Sequence, residues 1–94
     1  MSPADVATLR SGELVVLEPP WDQDYVFLWS HPGSGSSEMY EVGLVPRGTF
    51  GLVVCVAEAE TSTGRSTAEA LVLARDSLGW VVPSLMRRAR PEEA

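Results

Sequence analysis

The side chains that most often carry catalysis are scarce in this chain. Among 94 residues there is one histidine, His31, and one cysteine, Cys55. A single histidine rules out a metal site built from several imidazoles, and the Pro/Gly/Ser-rich stretch around His31 is typical of a solvated loop. Cys55 stands inside an apolar run, where a thiol packs as a small hydrophobic group. We therefore expect Cys55 to lie in the core and to be no nucleophile.

The acidic residues offer the only other candidate for site chemistry. Glu58, Glu60 and Glu69 flank a polar stretch, and Asp22 and Asp24 stand close together in another. Carboxylate oxygens bind divalent cations, but neither set has the spacing of a dedicated calcium loop. The glycines form no phosphate-binding pattern. The sequence thus predicts no catalytic residue, no metal site and no cofactor, and we expect a protein that is not an enzyme.

Length and charge narrow the class further. A chain of 94 residues forms one domain, and one cysteine makes no internal disulfide. Thirteen acidic and seven basic residues give a formal charge of −6, which repels a phosphate backbone. No apolar run approaches the roughly 20 residues that span a bilayer, and the N-terminus lacks the features of a signal peptide. These features alone predict a protein of the cytoplasm, neither membrane-bound nor clearly secreted.

Apolar runs bounded by glycine and proline predict β-strands. They cover residues 13–17, 25–29, 39–45, 52–60 and 80–82. Residues 25–29 are apolar on both sides, so we expect both sides to be covered. Residues 52–60 form the longest run and should be the central, most buried strand. The first ten residues, with Ser2 as a possible N-cap and Pro3 after it, predict a short helix.

Residues 68–78 are compatible with two structures. Ser66 and Glu69 have the spacing of a capping box and Gly79 suits a helix C-terminus, which indicates a three-turn helix. Alternatively, residues 70–74 form a strand that pairs with residues 52–57. We favour the strand, because a second strand signal at Gly79 follows a tight corner and a hairpin would place the two side by side.

The segment Gly79-Trp-Val-Val-Pro-Ser-Leu85 resembles the closing segment of SH3-like barrels. There a glycine, a short apolar strand, a proline and one 3₁₀ turn bring the chain back to the first strand. Gly48 and Gly51 before an apolar run, with Leu78-Gly-Trp-Val81 near the end, are similar to small SH3-like proteins of tailed bacteriophages. The resemblance implies an all-β SH3-like barrel of about five antiparallel strands over residues 12–88, between an N-terminal segment 1–11 and a charged tail 89–94.

The resemblance also implies a function. We expect a non-enzymatic structural or protein-interaction module in a protein assembly, such as the head, connector or tail of a phage virion, with other proteins or its own copies as partners. The alternative is a nucleic-acid-associated module of the KOW or Tudor kind, which the acidic charge disfavours. The Ala-Leu-Tyr-Asp-Tyr motif of polyproline-binding domains is lacking, so we expect Trp29 and Trp80 in the core rather than in a ligand groove.

Aromatic and arginine side chains enriched at protein interfaces supply the candidate contact residues. Two polar loops, residues 30–38 and 61–67, are longer than tight hairpins require, which is consistent with loops that a partner orders. The candidates for a protein interface are Trp21, Tyr25, Tyr40, Arg87, Arg88 and Arg90.

The charge balance generates the first prediction. At physiological salt, the purified protein should not bind a fluorescently labelled DNA duplex, because its net negative charge opposes phosphate contacts. Fluorescence anisotropy measures this directly. A micromolar association that weakens as salt is added would contradict the charge argument and favour the nucleic-acid alternative.

Overall fold

The computed structural model describes residues 9–32, 40–60 and 66–93. These residues form seven strands and two 3₁₀ turns, and the predicted all-β class is confirmed. The strands are β1 (Leu14–Leu17), β2 (Tyr25–Trp29), β3 (Glu41–Pro46), β4 (Thr49–Glu60), β5 (Ser66–Ala74), β6 (Ser77–Val81) and β7 (Met86–Arg88). Residues 1–8, 33–39 and 61–65, which include most of the predicted N-terminal helix and most of the predicted loops 30–38 and 61–67, lie outside the described residues.

All seven strands belong to one antiparallel sheet in the order β3-β2-β6-β5-β4-β1-β7. The sheet has two edge strands, β3 and β7, and is not closed. The 3₁₀ turn Pro83–Leu85 follows β6, as predicted, and leads into β7, which pairs with β1 so that Leu17 lies opposite Met86. The last strand therefore returns to the first.

The ambiguous segment is a strand. β5 pairs with β4 along its length, from Ser66 opposite Glu60 to Leu73 opposite Leu52. Ala70, Val72 and Ala74 are buried, which is the two-residue period of a strand rather than the 3.6-residue period of a helix. The alternative of a helix over residues 68–78 is wrong. The capping-box spacing of Ser66 and Glu69 does not start a helix here. The chain instead forms a hairpin, in which a two-residue turn leads from β5 directly into β6.

The core lies between the β2–β3 hairpin and the other five strands. Its buried members are Leu9, Val15, Leu17, Val26, Leu28, Val45, Val53, Ala70, Val72, Ala74, Val81 and Met86. Valine dominates because a β-branched side chain packs well on a pleated surface. Leu9, which belongs to the segment 1–11 that we expected to precede the barrel, is only 5% exposed and contributes to the core.

Two glycines let the hairpin approach β6 closely. A Cβ at Gly79 would lie 2.6 Å from Cβ of Leu28 and 3.0 Å from the amide nitrogen of Trp29. A Cβ at Gly43 would lie 2.5 Å from Cβ of Ser77. Only glycine fits at such distances, because the contacted atoms belong to or adjoin the backbone. Trp29 and Trp80 form the register pair that links β2 to β6.

A β-bulge in β4 overturns the prediction for Cys55. Val53 lies opposite Val72 and Cys55 lies opposite Leu71, so Val54 is an extra residue in the ladder. One extra residue reverses which side chains face the core. Val56, instead of Cys55, therefore packs against the core, and Cys55 is exposed.

Three further expectations about burial are wrong. β4 is not the most buried strand, because Leu52 and Val54 are exposed and β5 occupies the middle of the sheet. The two sides of β2 are not both covered, since Val26 and Leu28 are buried while Phe27 on the opposite side is exposed. Trp29 and Trp80 are half-buried on that same opposite side and are not members of the core.

The close crossing at Gly79 generates the second prediction. Gly79→Ala should lower the free energy of unfolding by about 1–3 kcal/mol, because the added methyl group forces Leu28 and the β2 backbone away from β6. Urea unfolding measures the change. Ser84→Ala, at an exposed position in the 3₁₀ turn, is the control and should change stability by less than about 0.5 kcal/mol. Equal stability of the two variants would show that β2 does not lie against β6 as described.

Candidate protein-interaction surface

The sheet side that faces away from the core is apolar and exposed. We call it the outer face and define it by ten side chains: Phe27 and Trp29 on β2, Leu44 on β3, Phe50, Leu52 and Cys55 on β4, Leu71 and Leu73 on β5, and Leu78 and Trp80 on β6. Its exposed large members are 38% to 50% exposed, with Leu78 at the upper end. Trp29, Leu71 and Trp80 are half-buried.

The register of the strands makes the outer face continuous. Residues opposite one another in an antiparallel pair share a face, and Leu44 lies opposite Phe27. The rings of Phe27 and Trp29 are 5.9 Å apart and tilted by 35°. Trp29 then lies opposite Trp80, so the apolar side of the hairpin continues onto β6.

Beyond β6 the same face extends to β4. Trp80 lies opposite Leu71, and Leu71 lies opposite Cys55. These three residues form a first row across the strands. In a second row beside it, Leu78 lies opposite Leu73, which lies opposite Leu52. The bulge at Val54 is what brings Cys55 into the first row. The thiol therefore lies among the large apolar side chains of the outer face and not behind them.

The size of the outer face is that of a binding surface. Side chains of this size at two-fifths exposure leave on the order of 500 Å² of apolar area in water, near the top of the range for a monomer's largest patch. At about 25 cal/mol per Å², its burial would release on the order of 12 kcal/mol. That gain is comparable to the roughly 4–15 kcal/mol that association costs. The partner's apolar surface would be buried in the same contact and would add a gain of its own, so a protein that covered the outer face could bind stably.

Two of the predicted interface aromatics lie together at one end of the β2–β3 hairpin. Trp21 is 50% exposed, and its indole Nε1 donates to the side-chain oxygen of Gln23. Gln23 in turn donates through Nε2 to the carbonyl oxygen of Tyr25, at 2.6 Å. Arg47 holds the same loop by donating to the carbonyl oxygens of Trp21 and Gln23, at 2.7 and 3.1 Å. These bonds fix the loop while both rings stay exposed.

Tyr40 lies at the other end of the hairpin. It is 62% exposed, and its backbone exchanges hydrogen bonds with Ser30. The ring of His31 packs edge-on against it at 6.4 Å. The structure thus does not bring Tyr40 together with Trp21 and Tyr25, because the length of β2 separates them.

The predicted interface arginines lie on the opposite edge of the sheet. Arg87 and Arg88 belong to β7 and not to a tail, and they form ion pairs with Glu18 at 3.2 Å and Glu13 at 3.1 Å. These contacts join β7 to the ends of β1. Both guanidinium groups therefore help to hold the edge of the sheet together. Arg90 follows β7 and precedes the 3₁₀ turn Pro91–Glu93, and it is engaged in an interaction within the protein.

The candidate metal and catalytic groups do not converge in the structure. Within residues 9–32, 40–60 and 66–93, no group of three His, Cys, Asp or Glu side chains is arranged to hold a metal ion. Asp22 and Asp24 are exposed in the loop before β2, whereas Glu69 is buried on β5 and interacts within the protein. In the same described parts of the sequence, no helix has the length and apolar character to cross a membrane.

Sequence reasoning missed most of the outer face. The signal was present in β2 and β4, where apolar residues occupy both strand sides. A strand of this kind either lies between two layers or exposes one of its sides. We expected β2 and β4 to be covered on both sides. A second feature was also missed: Arg47 and Arg75 lie at one end of the sheet and line a single cleft.

A search of family models, of curated proteins and of solved structures finds no match to this protein.

The position of Cys55 generates the third prediction. A maleimide should alkylate the folded protein at Cys55 at a rate within about tenfold of that in denaturant, because an exposed thiol reacts without unfolding. Mass spectrometry of timed samples measures the rate. Cys55→Ser should show no alkylation. Reaction only after denaturant is added would return Cys55 to the core and remove it from the outer face.

Proposed function

We propose that this protein is a non-enzymatic interaction module that docks through its outer face into a larger protein assembly. The observation that carries the proposal is the continuous row of exposed and half-buried apolar side chains from Leu44 through Phe27 and the two paired tryptophans to β5 and β4. An exposed apolar patch near the upper end of the range found on monomers is often a functional surface. The position of Trp29 and Trp80 at its centre fits interfaces, where buried aromatics contribute most of the affinity.

We further propose that the fold is a variant of the SH3-like architecture. Support comes from the closing segment: Gly79 in β6, the 3₁₀ turn Pro83–Leu85, and the return of β7 to pair with β1. On this interpretation the strands β7, β1, β4, β5 and β6 correspond to the five strands of an SH3-like barrel, and β7 occupies residues for which the sequence predicted no strand. The β2–β3 hairpin is then an insertion between β1 and β4 that adds to β6.

The partner is a protein and not a nucleic acid. The formal charge of −6 works against phosphate contacts, and Arg87 and Arg88 are engaged with Glu18 and Glu13. We propose a structural component of an assembly such as a phage virion, a suggestion that rests on the resemblance of the Gly48-to-Gly51 and Leu78-to-Val81 segments to phage proteins. KOW-like or Tudor-like function finds no support in these charges.

Alkylation of Cys55 in the native source tests the docking, and this is the fourth prediction. The rate in the native assembly should fall at least about tenfold below that of the purified protein, because a partner on the outer face covers the thiol. Leu78→Glu should restore the fast rate, since a buried unpaired carboxylate opposes docking. Leu78 is half exposed, so the folded monomer should accept the change.

Ser84→Glu is the matched control. It adds the same charge at an exposed position of the 3₁₀ turn, away from the outer face, and should leave Cys55 protected. Analytical ultracentrifugation of the purified protein shows whether self-association alone provides the cover. Equal alkylation rates in both settings, with the protein monomeric throughout, would refute docking through the outer face.

A further inference from the structure

An open cleft lies at the end of the sheet where two turns meet. It has a volume of about 430 Å³ and is lined by Pro46, Arg47, Gly48, Thr49, Phe50 and Arg75. The first five residues form the β3–β4 turn and the start of β4, and Arg75 belongs to the two-residue turn between β5 and β6. Two cations and one exposed aromatic ring therefore border one space.

The wall formed by the β3–β4 turn is held in place by backbone hydrogen bonds. The backbone amide of Arg47 donates to the carbonyl oxygen of Asp24 at 2.7 Å. The backbone amide of Gly48 donates to the carbonyl oxygen of Leu17 at 2.8 Å. Thr49 Oγ1 donates to the carbonyl oxygen of Pro46 at 2.6 Å. A wall fixed in this way loses little entropy when a ligand binds.

The guanidinium of Arg47 is oriented but not neutralised. Its Nη1 donates to the carbonyl oxygens of Trp21 and Gln23, which hold one side of the group. Within the described residues, no carboxylate forms an ion pair with Arg47 or with Arg75. This is unexpected for a protein in which acidic residues outnumber basic ones by 13 to 7.

Arg75 has a second unusual feature. Its φ angle is 55°, and it is the one non-glycine residue with positive φ among the described residues. Such a conformation favours glycine or asparagine and costs any residue with a Cβ about 1–2 kcal/mol. A two-residue hairpin turn requires a positive φ at its first central position, and Arg75 occupies that position. The turn thus holds an arginine at a position where a glycine would be more stable.

We propose that the cleft binds a carboxylate group of a partner protein, either that of an acidic side chain or the partner's own C-terminal carboxylate. Two guanidinium groups supply charge-assisted hydrogen bonds to the carboxylate, and Phe50, which is exposed, supplies apolar contact for the residue that bears it. A single carboxylate fits better than a polyphosphate, because the net charge of −6 repels a large anion. The cleft would add specificity to docking through the outer face, but its chemistry does not depend on that docking.

The test uses three short peptides and amide NMR shifts of the full-length protein. One acetylated and amidated tripeptide has a central glutamate between two leucines, one has glutamine in its place, and a third, acetylated trileucine, has a free C-terminus. The glutamate peptide, the trileucine peptide or both should shift the amides of residues 47–50 and 75–76 in a saturable way, and the glutamine peptide should not. Which of the two binds distinguishes an acidic side chain from a C-terminus as the source.

Arg75→Gly separates binding from structural support, and this is the fifth prediction. The variant should weaken peptide binding about two- to fivefold, as loss of an exposed ion pair does, and should raise the melting temperature by a few degrees, because glycine relieves the positive φ. Arg75→Asn, which also tolerates that φ, should weaken binding to the same extent.

Arg10→Ala is the charge control, since Arg10 is exposed and lies outside the cleft. It should leave peptide affinity unchanged. Equal shifts with the glutamine peptide, or unchanged affinity in Arg75→Gly, would overturn the proposal. The proposed docking is measured separately by Cys55 alkylation on the outer face, so either proposal can fail while the other holds.

Discussion

The fold depends on the close crossing of the β2–β3 hairpin and β6. Gly79 and Gly43 lack the Cβ atoms that would keep the two elements apart, and the pair of Trp29 and Trp80 links them. The crossing brings Val26, Leu28 and Val45 of the hairpin into one cluster with the valines of the other strands. Without it, the hairpin would have nothing against which to bury its apolar side, and a two-stranded hairpin alone is marginally stable.

The same crossing determines what the other side of the sheet exposes. The alternation of side chains along a strand places Phe27 and Trp29 outward once Val26 and Leu28 face the core. The bulge in β4 does the same for Cys55, because it turns Val56 toward the core instead. These strands have apolar residues on both sides. The arrangement that buries one side in the core therefore leaves the other side exposed as the outer face.

The strand content was predictable from local pattern, whereas burial was not. The limits of β2 agree with the expected strand at residues 25–29, and β5 was correctly preferred as a strand. Two features that decide which side chains are buried could not be read from the sequence. They are the extra residue in the β4 ladder and the exposure of the Phe27 side of β2. A bulge has no signature in the run of residues 52–57, since each of them is apolar. Exposure of Phe27 depends on distant elements and not on its neighbours in sequence.

The candidate contact residues were predictable one by one but not as a group. Trp21, Tyr25 and Tyr40 are exposed as expected, but topology separates them along the hairpin. Arg47 and Arg75, 28 positions apart, become neighbours only because two turns meet at one end of the sheet.

If the protein docks as proposed, charge and apolar area together account for how it would stay dispersed beforehand. A net charge of −6 on 94 residues opposes random contact between copies, while none of the ten side chains that define the outer face carries a charge. Docking then requires a partner whose apolar surface matches the outer face and whose charge does not add to the repulsion. An arginine-lined cleft at the end of the same sheet gives that partner one favourable place for a carboxylate. Apolar area would supply the affinity of the complex, and the two arginines would supply its orientation.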